Sequence, residues 1–68
     1  MKEIGKIIKE RRSLLNITQR ELAELAGVAV NTLTKIERGE ANPSIKVLNH
    51  ILDTVGMEIV IQIKNPRL

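Results

Sequence analysis

The sequence has no cysteine and no phenylalanine, tyrosine or tryptophan. Without cysteine, the chain has neither disulfide bonds nor thiolate metal ligands, and this composition fits a reducing cytosol. Without aromatic rings, it lacks the surfaces on which the bases of single-stranded nucleic acids stack. The core must therefore be aliphatic, and any contact with nucleic acid must be of another kind.

Long apolar runs and catalytic groups are also missing. No stretch approaches the roughly 20 apolar residues that cross a bilayer, and the N-terminus lacks the apolar core of a signal peptide, so we expect a cytoplasmic chain. The only histidine is His50, and no glycine-rich phosphate loop is present. An enzyme needs acid, base and nucleophile to converge in a pocket, so we expect no enzyme, no cofactor and no metal site.

The chain of 68 residues is long enough for one small domain, and its net charge of +3 permits a polyanionic partner without requiring one. Apolar residues near the N-terminus recur at spacings of about three and four, which predicts an amphipathic first helix that ends near Leu15 and Asn16. The apolar residues of this pattern are Ile4, Ile7, Ile8, Leu14 and Leu15.

A capping box predicts the start of the second helix. The hydroxyl of Thr18 can accept from the amide of Glu21, whose carboxylate can reach back to the Thr18 amide, so the helix begins at residue 18 or 19. It should bury Leu22 and Ala26 and end at Gly27, which adopts the left-handed conformation without a steric penalty.

A third helix is predicted from about Val30 to Arg38, with Leu33 and Ile36 facing inward and Gly39 ending it. A fourth helix follows, with Ser44 as its N-cap and Gly56 at its end. Its predicted inner face comprises Ile45, Leu48, Ile51, Leu52 and Val55.

The apolar period changes from about 3.6 to 2 after Gly56, which predicts a β-strand over residues 57–64 that Pro66 ends. Its apolar face comprises Met57, Ile59, Ile61 and Ile63. No second strand is predicted, so we expect the same strand of another copy to pair with it in a homodimer. The expected organisation is a helical domain over residues 1–56, a dimerisation strand over 57–64 and a tail over 65–68.

The second and third helices together predict a helix-turn-helix motif. Two short helices joined by a tight, glycine-containing turn cross steeply, and the second then projects as a rigid probe. A small side chain is needed where the helices approach, and Ala23 supplies it. The residues that carry this pattern are Gln19, Ala23, Gly27, Leu33 and Ile36.

The stretch TQRELAELAGVAVNTLTKIERGEANPS, residues 18–44, resembles the lambda-repressor-like, Cro/CI-type (XRE) helix-turn-helix regulators. Weaker similarity extends from about Ile4 to Gly56. The resemblance implies a mainly α, four-helix domain whose third helix lies in the major groove of double-stranded DNA, and hence association with the nucleoid. The family often has Ser or Thr where Ala29 stands here, so a side-chain cap and a phosphate contact are missing at that end.

The residues predicted to contact DNA divide into two groups, on and around the third helix. Residues near its N-terminus and along its outer face are predicted to read bases: Val30, Asn31, Thr34 and Lys35. Two sets of residues are predicted to contact phosphates: Gln19 in the first turn of the second helix, and Arg38, Asn42 and Lys46, which flank the end of the third. Simple solvation of a surface helix is the alternative for Asn31 and Lys35.

Arg12 and Glu37 fall near inward positions, and the family resemblance implies that they form a partly buried ion pair between the first and third helices. The direct connection from the fourth helix to a strand also resembles HipB-type antitoxins. Two functions therefore stay open: a homodimeric repressor on a palindromic operator, or an antitoxin that binds a toxin protein and autoregulates its operon. Co-purification from the native host would discriminate them.

Overall fold

The computed structural model describes residues 2–64 and contains four α-helices in that range. They are α1 (Lys2–Leu14), α2 (Gln19–Ala26), α3 (Val30–Glu37) and α4 (Ile45–Thr54). The predicted tail 65–68, including Pro66, lies outside the described residues. No helix within residues 2–64 is long and apolar enough to cross a membrane.

Local hydrogen bonds define where α2 begins and ends, and they define the conformation of the turn after it. The amide of Glu21 donates to Thr18 Oγ1 at 3.0 Å, and the amide of Thr18 donates to Glu21 Oε1 at 2.8 Å, which confirms the capping box. Gly27 has a φ angle of 71°, as predicted for the left-handed turn. The amide of Val28 then donates to the carbonyl of Ala23, so the chain leaves α2 in a defined direction toward α3.

The core is aliphatic and is formed by residues from all four helices. The predicted inward residues of α2 and α3 are buried: Leu22, Leu33 and Ile36 have no exposed area. Burying a side chain of this size stabilises the fold by about 1.5–3 kcal/mol. The complete buried cluster consists of Ile8, Leu22, Ala23, Ala26, Leu33, Ile36, Leu48, Ile51, Leu52 and Val55.

Four residues of the predicted apolar faces are instead exposed: Ile7 by 44%, Leu14 by 74%, Leu15 by 41% and Ile45 by 63%. Leu15 lies beyond the last residue of α1, and the next residue, Asn16, has a φ angle of 58°. Helical spacing therefore no longer predicts where the Leu15 side chain points. Ile45 is the first residue of α4, and helical side chains tilt toward the N-terminus, which takes it away from the packed turns. The inward prediction for these residues was wrong.

At Gly5 the backbones of α1 and α3 are in close contact. A Cβ atom at this position would overlap the carbonyl oxygen of Ile36 and lie 3.1 Å from that of Glu37. The buried stripe of α1 therefore contains Gly5 and Ile8, followed by the half-buried Arg12. The absence of a side chain at residue 5 lets the backbones of the two helices come together.

Residues 57–64 form no β-strand in the described single chain. A strand requires a second segment to exchange backbone hydrogen bonds, and the described part of the chain offers none. The start of the segment is fixed, because Arg11 Nε donates to the carbonyl of Val55 at 2.9 Å and the amide of Met57 donates to that of Leu52 at 2.8 Å. Pairing across two chains stays a prediction.

Candidate nucleic-acid interface

The helix α3 presents one apolar face to the core and one polar face to solvent. Leu33 and Ile36 are fully buried, whereas Asn31 and Lys35, which are one turn apart, are exposed. Val30 at the start of the helix is 36% exposed. Ala29, the residue before it, makes no side-chain cap. Three of the four predicted base-reading residues, Val30, Asn31 and Lys35, thus lie on the exposed side of a helix whose other side is packed in the core, whereas Thr34 is half-buried.

An ion pair ties the C-terminal end of α3 to α1. Arg12 Nε lies 2.8 Å from Glu37 Oε2, and Arg12 Nη2 lies 3.0 Å from Glu37 Oε1, so the guanidinium binds the carboxylate in a bidentate contact. The side chains are 14% and 2% exposed. The hydrogen bond to Glu37 raises the pKa of Arg12 despite the opposing effect of burial. The Arg12 guanidinium is therefore charged at any ordinary pH.

Arg12 also connects α1 to the segment that precedes α2. Its Nη1 group donates to the carbonyl of Ile17 at 3.0 Å. Ile17 is half-buried against the core, two residues before the start of α2. One guanidinium thus holds the position of two neighbouring elements at once, which a lysine with its single charged nitrogen would not do.

Gln19 extends this network to the outer part of α3. Its Nε2 atom donates to Glu37 Oε1 at 2.9 Å, and its Oε1 atom accepts from Thr34 Oγ1 at 3.1 Å. An amide nitrogen carries two N–H donors, so one remains beside the hydrogen bond to Glu37, and its contact with a phosphate stays a prediction. Sequence reasoning placed both residues at the interface but missed their hydrogen bond, because no short-range spacing links positions fifteen residues apart.

The predicted phosphate-contacting residues Arg38, Asn42 and Lys46 are all exposed. Arg38 directly follows α3, Asn42 lies in the connection to α4, and Lys46 lies in the first turn of α4. Within residues 2–64 the only ion pair is that of Arg12 and Glu37, so the cations Arg38 and Lys46 have no acidic partner there. Asn42 is neutral and could contact a phosphate only through its amide. Their contact with phosphates stays a prediction.

The family comparison agrees with this geometry. A helix-turn-helix family model, HTH_3, matches residues 8–60, which include the two helices of the motif and the interface residues around them. The chain belongs to the XRE-type helix-turn-helix family. The HipB-like likeness of the C-terminal segment has no such support and stays a hypothesis.

Relatives of this helix-turn-helix chain are found in archaea. An "uncharacterized HTH-type transcriptional regulator" of Archaeoglobus fulgidus is 48% identical over 52 residues, which are 76% of this chain and 73% of the relative. A protein with the same description from Methanothermobacter thermautotrophicus is 38% identical over 52 residues, 76% of this chain and 75% of its own length.

A longer relative shares only this domain. A Methanococcus vannielii protein, whose name describes an HTH-type transcriptional regulatory protein, is 41% identical over 56 residues. That match covers 82% of this chain but only 17% of the relative. The helix-turn-helix unit therefore occurs both in small proteins and as a small part of a larger one.

Proposed function

We propose that this chain is a sequence-specific, double-stranded DNA-binding transcriptional regulator, a repressor that acts as a homodimer on a palindromic operator. The observation that carries this proposal is the way in which α3 packs on the core. Its inner side is buried through Leu33 and Ile36, and its outer side exposes Asn31 and Lys35. A helix held in this way has the size and rigidity to enter the major groove of B-form DNA.

The exposed side chains of α3 have the chemistry for reading bases. Asn31 can form two hydrogen bonds with an adenine edge, Lys35 can donate to guanine, and Val30 can contact a thymine methyl group. Each well-formed bidentate contact discriminates between bases by about 1–3 kcal/mol. Gln19, Arg38, Asn42 and Lys46 surround this helix and supply the phosphate contacts that set its register.

The C-terminal segment supports a two-fold partner. Ile61 is 95% exposed and Ile63 is 79% exposed in the single chain. Next to them, an apolar cleft of about 260 Å³ is lined by Ile4, Ile7, Leu52 and residues 57–60. The same segment of a second copy, running antiparallel, would satisfy the backbone groups of both and cover this apolar surface.

Two recognition helices in such a dimer would reach successive turns of the same face of the DNA, about 34–36 Å apart. A dimer seated on a promoter excludes other proteins from it by occupancy alone. Repression of this kind needs no cofactor.

Selection of bound duplexes from a random pool tests the proposal directly. We expect enrichment of a palindrome whose half-sites are centred about one helical turn apart. Asn31→Ala should relax the preference at one base pair, whereas Arg38→Ala should weaken all sequences alike and lower the salt slope by about one. A pool without enrichment, or equal effects of the two substitutions, would contradict this assignment.

A further inference from the structure

Glu37, Gln19 and Thr34 form a chain of hydrogen bonds in which the donor and acceptor of each bond can be assigned, starting from Glu37. Its carboxylate, paired with Arg12, can only accept hydrogen bonds. The atom of Gln19 that lies 2.9 Å from Glu37 must therefore be the amide nitrogen. The ion pair thus fixes which way the Gln19 amide points.

This orientation turns the carbonyl oxygen of Gln19 toward Thr34. The Thr34 hydroxyl lies 3.1 Å from that oxygen and must donate its single proton to it. Only lone pairs then remain on Thr34 Oγ1. Thr34 is half-buried and lies one turn from Asn31 on the same side of α3.

We propose that Thr34 acts toward DNA only as a hydrogen-bond acceptor, and that Gln19 enforces this as a positioning residue that does not touch the base. This inference rests on the proposed DNA-reading function of α3. In the major groove the hydrogen-bond donors are the N6 amino group of adenine and the N4 amino group of cytosine. Guanine O6 and N7 and thymine O4 are acceptors, and they meet the Thr34 oxygen unfavourably.

The expected specificity is therefore for adenine or cytosine at one position of each half-site. A neutral hydrogen bond of this kind should favour an amino-bearing base over guanine or thymine by about three- to tenfold in affinity. The effect is smaller than that of a bidentate contact, so it should be seen as a secondary preference beside the position read by Asn31.

Affinity measurements on duplexes that carry each of the four bases at each half-site position test the inference. Thr34→Val keeps the shape of the side chain and should abolish the preference at one position only. Thr34→Ser keeps the hydroxyl and should retain it. Gln19→Met frees the hydroxyl to rotate, so guanine and thymine should rise to the level of adenine and cytosine at that position, while affinity for all sequences falls with the lost phosphate contact.

Three results would contradict the inference about Thr34 and Gln19. A preference for guanine or thymine at the Thr34-dependent position, no change on Thr34→Val, or a preference that survives Gln19→Met would each overturn the inference while leaving DNA binding intact. A purely structural role of Gln19 would weaken all four bases equally. If the unsubstituted protein selects no sequence at all, the proposed function itself fails, and the inference fails with it.

Discussion

Gly5 lies where α1 meets α3, and the carbonyl oxygens of Ile36 and Glu37 occupy the space beside its Cα atom. Helix propensity alone favours alanine over glycine inside a helix by about 1 kcal/mol. A methyl group at this position would instead push two helix backbones apart, with a cost of roughly 1–3 kcal/mol or more. We therefore expect Gly5→Ala to lower the free energy of unfolding, as measured by urea denaturation.

The neighbouring Lys6 provides a matched control, because it is exposed on the same helix. Lys6→Ala should change the free energy of unfolding by less than about 0.5 kcal/mol. Stabilisation by Gly5→Ala would show that the helices can separate without loss and that propensity decides at this position.

Glu37 is the only charged residue that is buried within the described part of the chain. Its replacement by alanine would leave the Arg12 guanidinium without its carboxylate and would remove the acceptor of Gln19. We expect Glu37→Ala to lower the free energy of unfolding by roughly 3–5 kcal/mol in a denaturant titration. A loss under about 1 kcal/mol would show that the remaining charge reaches water at little cost.

The double variant Arg12→Met with Glu37→Leu separates the value of the pair from the cost of an orphaned charge. Replacing both partners by apolar residues of similar size removes the uncompensated charge, so the double variant should be more stable than Glu37→Ala. If both variants lose the same stability, the effect of Glu37→Ala comes from lost packing.

At the scale of elements, we expect the capping box to make the stability of α2 dependent on pH. The hydrogen bond from the Thr18 amide lowers the pKa of Glu21 below its ordinary value of 4.5. A lowered carboxylate pKa contributes stability above the unfolded pKa, and this contribution is lost as the pH falls through the folded pKa. Thr18→Ala should cost about 1 kcal/mol at neutral pH.

Part of this deficit should disappear in acid. Thr18→Ala leaves the backbone amide in place but removes the hydroxyl that holds the cap together, so the pKa of Glu21 should rise toward its ordinary value. Denaturation of both proteins from pH 7 to pH 3 measures the difference, which should narrow below about pH 4.5. A difference that is constant over this range would mean that Glu21 makes no contribution through the cap.

The helices differ in how well the sequence predicts them. The ends of α2 and α3 are predicted within one residue, because Thr18, Gly27 and Gly39 act through local backbone geometry. The burial of Leu14 and Ile45 was predicted wrongly, because periodicity identifies a stripe on a helix but not how far the neighbouring helices cover it. An isolated glycine inside an amphipathic pattern was the only sign of the contact at residue 5.

In the candidate site, too, the sequence predicts what depends on one helix and misses what depends on how two helices pack. Helical spacing from Leu33 and Ile36 predicts the exposure of Asn31 and Lys35 correctly. All four residues lie on the same short helix, so their relative directions follow from spacing alone. The hydrogen bond between Gln19 and Thr34 depends on how two helices cross, and no local pattern contains that information. Roles toward DNA stay predictions, because they depend on a second molecule.

At the scale of the whole molecule, the pairing of segment 57–64 with a second copy stays a prediction. The alternating pattern of this segment predicts a strand, yet a strand forms only when another backbone completes it. Arg11 holds the end of α4 through the carbonyl of Val55, so the segment leaves the helical domain from a fixed point. Two copies that pair along this segment would therefore hold their α3 helices in a fixed relation.

Ile61→Gln tests this pairing, because Ile61 is 95% exposed and its replacement should leave the single chain folded. In a dimer the substitution occurs twice, and each buried isoleucine contributes about 1.5–3 kcal/mol, so dissociation should become easier by about a hundredfold or more. Sedimentation equilibrium measures this change, and binding to a two-half-site duplex should weaken with it. Leu14→Gln is the matched control, since Leu14 is 74% exposed on α1 outside the segment, and it should leave the dimer unchanged. A monomer at tens of micromolar in the unsubstituted protein would refute the paired arrangement.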